Sequence, residues 1–278
     1  AAQVSGAVSL TYDTSLFSGP TIAPGWSSDY AGMGIAAPVS PLIVDRARIL
    51  GGDARESDPA LAAATAFAVV LADRGVIVGD IRMGSATGRV IATTESVPVA
   101  TMVETMLTES DNDSSEILAH LAGAIQSGTG SFASGAAATL TTLQSAGIPM
   151  QGAGFVDGSG LSYEDIASPL TLVSAISLTA SASAPAWTWP VGLGLPVAGL
   201  TGTLADRFVG PDTRSAAGFV RAKTGTLIGV ATLAGTVVDR DSRLLAFAFM
   251  SDGTSDTDAA RAALDRAATA LAACGCRG

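Results

Sequence analysis

The sequence predicts an α+β fold, an antiparallel sheet flanked by helices, and three observations lead there. FVRAKTGTL, VATLAGTVVD and LLAFAFMSDG succeed one another in the C-terminal third, each with strand-like composition and separated only by short turns. DTDAARAALDRAATALAAC comes directly after them, amphipathic at helical spacing and able to cover such a sheet. The middle of the chain is a succession of helical runs, so strands and helices are segregated rather than alternating.

Taken in order, residues 1–57 read as short extended pieces. VSLTYDTSLF alternates as a strand does, and Gly19-Pro20, Pro24-Gly25 and Pro38 break the adjoining stretch into loops. Asp58-Pro59 opens a helix, with Asp at the cap and Pro in the first turn, running through ALAAATAFAVVLADRG to Gly75. Its apolar composition predicts a buried helix. VIVGDIRMG and RVIATTE are expected to be short strands, and VPVATMVETMLTES is a helix that reaches Ser110-Asp111-Asn112. A second helix begins immediately, capped by Asp113 or Ser114 and with Glu116 in its first turn. His120 lies four residues after Glu116, a position expected to face solvent or a helix neighbour. Residues 136–146 form a further helix closed by Gly147 and Pro149, DGSGLS (157–162) is a polar turn, and 169–181 is helical. A domain boundary is placed near residue 57, dividing 1–57 from 58–278.

Composition narrows the function. Of 278 residues 48% are hydrophobic and only 14% charged, which suits a folded Ala/Gly-rich protein and not a disordered one. The net charge is −10 and no basic stripe exists, so nucleic acid is not an expected partner. All but one of the 15 basic residues are Arg: Lys223 is the only Lys, and His120 the only His. A His cluster for zinc is therefore excluded, as is any mechanism drawing two lysines from this chain, and no metal or other cofactor is expected. Cys274 and Cys276 form a C-x-C near the C-terminus. They are expected to be a tail thiol pair without catalytic work, or a bridge to something outside the chain, and their position is compatible with export.

Two long stretches, 117–156 apart from His120 and 166–205, carry no charge. The first is dense in Gly, Ser and Thr, and the second is broken by Pro169, Pro185, Pro190 and Pro196. Neither offers a clean apolar run of membrane-spanning length. The opening AAQVSG has neither a basic nor an apolar leader region, so any signal peptide is expected to have been removed.

Two short motifs could carry chemistry. In Ser110-Asp111-Asn112, between two helices, Ser110 offers a hydroxyl that can relay a proton and Asn112 an amide that can orient a carbonyl. The same residues are also favoured helix caps, and the triplet alone leaves both readings open. Lys223-Thr224-Gly225-Thr226 begins a strand, where an ammonium, two hydroxyls and close-approach backbone suit an extended peptide with a terminal carboxylate. A solvated Lys that discourages edge pairing is the alternative there.

Together the motifs are far more specific. Ser-x-Asn between helices, with Lys-Thr-Gly on a strand downstream, resembles the penicillin-recognising serine enzymes. Within them the chain is most similar to the D-alanyl-D-alanine carboxypeptidase/endopeptidase group with a large inserted region. MLTESDNDSSEILAHLAG, GFVDGSGLS, GTLADRF (202–208) and AKTGTLIGVATLAG resemble that group in its order, as do TYDTSLFSGP and APVSPLIVDRARI upstream. The resemblance implies a β-lactamase/transpeptidase-like sheet flanked by helices, with residues 1–57 as the remainder of an inserted smaller domain. It implies Ser110 as the proton-relaying hydroxyl, Asn112 as the amide that holds the substrate's acyl-side peptide group, and Lys223 as the lysine that keeps the site electropositive. Thr224, Gly225 and Thr226 would receive the terminal D-Ala carboxylate of a peptidoglycan stem peptide, or the carboxylate of a β-lactam. The implied chemistry is acyl-enzyme formation and hydrolysis in an extracytoplasmic setting.

One departure stands out. The family's nucleophile and base form a Ser-x-x-Lys, and here the only Lys is preceded three residues earlier by Val220. Two explanations compete. Either the nucleophile lies on an upstream segment or second chain, or the protein is a non-catalytic peptidoglycan-binding pseudoenzyme or structural wall module. The first is favoured, because both retained motifs are intact. It also predicts that LLAFAFMSDG pairs with a strand from that other segment, since an unpaired apolar edge invites aggregation.

Overall fold

The computed structural model describes residues 7–85 and 89–275. The chain divides into two compact units, the first comprising Ala1–Ser96, Asn112–Leu140 and Phe155–Asp165, the second Val97–Asp111, Thr141–Gly154 and Ile166–Gly278.

In the first unit, strands β1 (Ala7–Tyr12) and β2 (Ile77–Met83) pair in parallel, and helix α1 (Pro59–Ala72) makes the crossover and packs on both. The units therefore do not part at residue 57, because elements on either side of it share one small core of Tyr12, Ala60 and Ala64 with Leu10, Leu42 and Ile81. Helix α1 starts as its sequence dictates: Pro59 occupies the first turn, and the Asp58 carboxylate accepts the Leu61 N–H at 3.0 Å. It is not a buried helix. Only Pro59, Ala60, Ala63 and Ala64 are buried, while Leu61, Phe67, Val69 and Val70 are exposed. RVIATTE is not a strand either; residues 89–95 pair with no strand among the described residues, and Val90 and Ile91 are exposed.

Helices α3 (Asn112–Ser127) and α4 (Phe132–Ser145) come after α2 (Val99–Glu109). Helix α3 begins at Asn112, so Asp113 and Ser114 lie inside its first turn and do not cap it. Asp113 is buried, accepts the Ala37 N–H at 2.6 Å and pairs with Arg55 at 3.2 Å. His120 is buried as well, packed against the rings of Phe17 and Phe132 at 5.0 and 4.7 Å, and does not face solvent. Its Nδ1 lies 2.9 Å from the Glu116 carbonyl, and burial lowers its pKa, which keeps the ring neutral.

The second unit is built on the antiparallel sheet β3 (Val220–Leu227), β4 (Val230–Val238) and β5 (Leu244–Ser251), in that order, as the sequence predicts. Lys223 stands opposite Ala234, and Ala234 opposite Ala248, so the register is continuous across the sheet. The core lies where Val220, Ala222, Leu233, Val237 and Phe247 meet Ala268 of the closing helix α7 (Thr257–Ala272). Helix α5 (Pro169–Ala180) packs against β4 and β5, and the short α6 (Trp189–Gly194) against α2. Strand β5 is the outer strand, with no further strand beside it among the described residues and with Leu244 and Met250 exposed. Cys274 is in a disulfide, not a free thiol, and Cys276 lies outside the described residues. Among the described residues no helix is long and apolar enough to cross a membrane.

Candidate functional site

The site begins where α2 stops. Ser110 takes a left-handed conformation, φ 55° and ψ 51°, and the N–H groups of Ser110 and Asp111 both turn back to the Met106 carbonyl. A non-glycine residue in this region carries a steric cost of about 1–2 kcal/mol, which the local structure must hold. The turn ends the helix and directs the Ser110 hydroxyl to Lys223, whose Nζ donates to it at 2.7 Å. Ser110→Gly and Ser110→Ala remove the same hydroxyl and differ in how they tolerate this backbone. The Gly variant is expected to be the more stable of the two by about 1 kcal/mol in urea unfolding; equal stabilities would show that the turn is unstrained.

Lys223 is held by β3 with its ammonium largely out of water. Its hydrogen-bond partners are neutral, the Ser110 hydroxyl and, also at 2.7 Å, the Thr224 carbonyl. Burial among neutral partners lowers its pKa from 10.5 to about 8. The solvated edge-strand Lys considered from the sequence is thus not what the fold contains.

The outer edge of β3 is half covered. At its start Val220 accepts the Ala198 N–H and Ala222 donates to the Pro196 carbonyl, both at 2.9 Å. Beyond Ala222 no strand lies beside it among the described residues. By the alternation of an antiparallel ladder, the backbone groups of Thr224 and Thr226 face this same open edge. Thr226 is exposed. The Thr224 hydroxyl donates to the Thr203 hydroxyl at 2.9 Å. Gly225 has a reason of its own: a Cβ on it would run into the Thr232 hydroxyl of β4.

Asn112, two residues after Ser110, opens α3 and belongs to the other compact unit. Its amide donates to the Ile35 carbonyl at 3.0 Å, which fixes the side chain's orientation and leaves its oxygen available as an acceptor. The fold thus joins Ser110, Lys223 and Thr224 by direct contact, and ties Asn112 to Ile35. Sequence reasoning overlooked Thr203. The only signal for it was its place in GTLADRF, a segment without helical or strand periodicity.

The chain has relatives among known proteins. Residues 51–272 match the D-Ala-D-Ala carboxypeptidase 3 (S13) family. Carboxypeptidase DacB of Mycolicibacterium smegmatis is 38% identical over 95% of this chain and 58% of its own length. A carboxypeptidase of Mycobacterium tuberculosis is 35% identical over 95% of this chain and 57% of its own. The chain therefore spans somewhat more than half the length of these relatives. Penicillin binding protein 4 (dacB) from Haemophilus influenzae shares the fold, with a TM-score of 0.77 over 93% of this chain and 73% of that one at 21% identity. The match over residues 51–272 assigns the chain to the D-Ala-D-Ala carboxypeptidase 3 family, S13.

Proposed function

We propose that the chain carries the proton-handling and carboxylate-binding part of a serine-type D-Ala-D-Ala carboxypeptidase, with endopeptidase action open to the same geometry. Its substrate is a peptidoglycan stem peptide ending in D-Ala-D-Ala, reached outside the cytoplasm, and β-lactams enter the same site. The observation that carries this reading is the 2.7 Å contact between Lys223 Nζ and Ser110 Oγ beside the open edge of β3.

An extended peptide laid along that edge would bond to the backbone of Thr224 and Thr226 by strand addition. Lys223 would draw in the terminal carboxylate, and the two Thr hydroxyls would bond to it, a charge-assisted arrangement. Ser110 hands a proton toward the leaving amine, and Asn112 offers its amide to the acyl-side peptide group. The acyl-enzyme forms on a serine supplied from outside these residues, since the single Lys223 leaves no Ser-x-x-Lys within them. That segment, upstream or on a second chain, also pairs with β5.

The test is covalent labelling by a fluorescent penicillin. The full-length protein with an intact Ser-x-x-Lys should label and release label slowly, while residues 1–278 alone should not. An unlabelled full-length protein would favour a peptidoglycan-binding pseudoenzyme.

A further inference from the structure

Thr203 lies in the tight turn Gly202–Leu204, which bridges parts of the second unit that are distant in sequence. Gly202 sits at φ 53°, where a side chain is strained, and a Cβ on it would collide with the Thr108 carbonyl in the last turn of α2. That last turn leads directly into Ser110. Thr108 is itself anchored, its hydroxyl donating to the Gly194 carbonyl at 2.9 Å. On the other side, Leu204 is fully buried in the sheet core. Arg207, four residues after Thr203, forms a two-point ion pair with Asp265 of α7, and both side chains are largely buried. The turn is thus fastened to α2, to the core and to α7. At the end of this scaffold it presents one hydroxyl, 2.9 Å from that of Thr224.

Resting on the carboxylate-binding reading above, we propose that Thr203 is a positioning residue for the substrate carboxylate, acting through Thr224. A free threonine hydroxyl rotates among three staggered positions and spends only part of its time aimed at a ligand. Bonded to Thr203, the Thr224 hydroxyl has a fixed partner. When a carboxylate arrives at the β3 edge, the Thr224 proton turns to the anion and the Thr203 proton moves in behind it, donating to the Thr224 oxygen. The chain Thr203 → Thr224 → carboxylate then runs in one direction, and each hydrogen bond polarises the next. Nothing in this requires Thr203 to touch the substrate, and its contribution falls on carboxylate affinity, not on the acyl-transfer step.

The experiment uses the full-length protein with its Ser-x-x-Lys segment, in wild-type, Thr203→Val and Thr203→Ser forms. Each is assayed on a peptide ending in D-Ala-D-Ala and on the same peptide with its terminal carboxylate amidated. Thr203→Val, which keeps the shape and loses the hydroxyl, should raise KM for the free acid by about tenfold, the value of one good hydrogen bond. Its kcat should stay within about twofold of wild type, and the amidated peptide should be handled alike by all three forms. Thr203→Ser should restore KM. A Val variant that matches wild type on the free acid, or that loses equally on both peptides, overturns the proposal, as does failure of Ser to rescue. If wild type shows no turnover and no labelling by a fluorescent penicillin, it is the carboxypeptidase reading that falls, and the proposal with it.

Discussion

Lys223→Met is expected to abolish penicillin labelling of the nucleophile-bearing protein, by about a hundred- to ten-thousandfold in rate, while leaving the fold as stable as wild type or more so. The two effects have one cause. Lys223 is the only Lys, and its ammonium is buried against a hydroxyl and a carbonyl, neither of which offsets its charge. Burial brings its pKa from 10.5 to about 8. Between those values the unfolded chain holds the proton more tightly than the folded one, so stability should rise with pH from about 8 to about 10.5. Below that window the charged form costs the fold up to about 3 kcal/mol. Met has a similar length, needs no hydration and removes that cost. It also removes the cation that draws in a carboxylate and the proton donor facing Ser110. Wild type should therefore lose carboxylate affinity as pH passes about 8, well before an ordinary Lys would, seen as a rising KM. Labelling rates and urea unfolding near pH 7 and near pH 10 measure both arms. A Met variant that labels at the wild-type rate removes Lys223 from the chemistry, and one several kcal/mol less stable at neutral pH contradicts the burial argument.

The features legible in the sequence are those that local chemistry decides. Asp58-Pro59 caps and opens α1, Ser110 ends α2, and β3, β4, β5 and α7 lie where period and turn residues place them. Apart from the start of α3, set one or two residues late, the failures depend on neighbours remote in sequence. RVIATTE has strand composition, but a strand exists only if another pairs with it. Helix α1 is apolar nearly all round, yet only the face that meets Tyr12 and its neighbours is buried. The spacing of His120 from Glu116 gives the helix neighbour, since Nδ1 lies 2.9 Å from the Glu116 carbonyl, but not the burial, because Phe17 and Phe132, which enclose the ring, belong to other elements. The site divides in the same way. Motif spacing and resemblance point to Ser110, Asn112, Lys223 and Thr224, but not to the left-handed turn that aims Ser110 or to the neutral company Lys223 keeps. Thr203 was beyond reach because one hydroxyl in an aperiodic turn carries no signature until the fold sets it against Thr224.

Glu116→Gln is expected to make the protein as stable as wild type near pH 5 and more stable near pH 8, whereas Glu116→Ala should lose about 2–4 kcal/mol near pH 5 and less near pH 8, where wild type has already lost the stabilisation of the protonated acid. Glu116 is fully buried in the first unit, and one carboxyl oxygen accepts the Gly158 N–H at 3.0 Å and the Ser159 N–H at 2.9 Å. It thereby holds the DGSGLS turn, where Asp157 in turn accepts the Trp26 indole N–H at 2.7 Å. Burial, with repulsion from Asp157 second, raises the Glu116 pKa from 4.5 to about 7 against the pull of the Ser159 side chain and those backbone donors. Here the folded chain holds the proton more tightly. The stabilisation is complete below about pH 4.5 and is lost as pH rises through about 7. Gln imitates the protonated acid: its carbonyl still accepts the two N–H groups, and it cannot ionise. Ala leaves both donors buried without an acceptor and opens a cavity. Asp165 is pushed the same way, to about 7, by burial and its hydrogen bond to Asp157, so some pH dependence survives in the Gln variant. Urea unfolding of the three forms near pH 5 and pH 8 separates the cases. If Gln falls with Ala at pH 8, the carboxylate itself is the stabilising form, and repulsion within this buried acidic group is not what limits stability above neutrality.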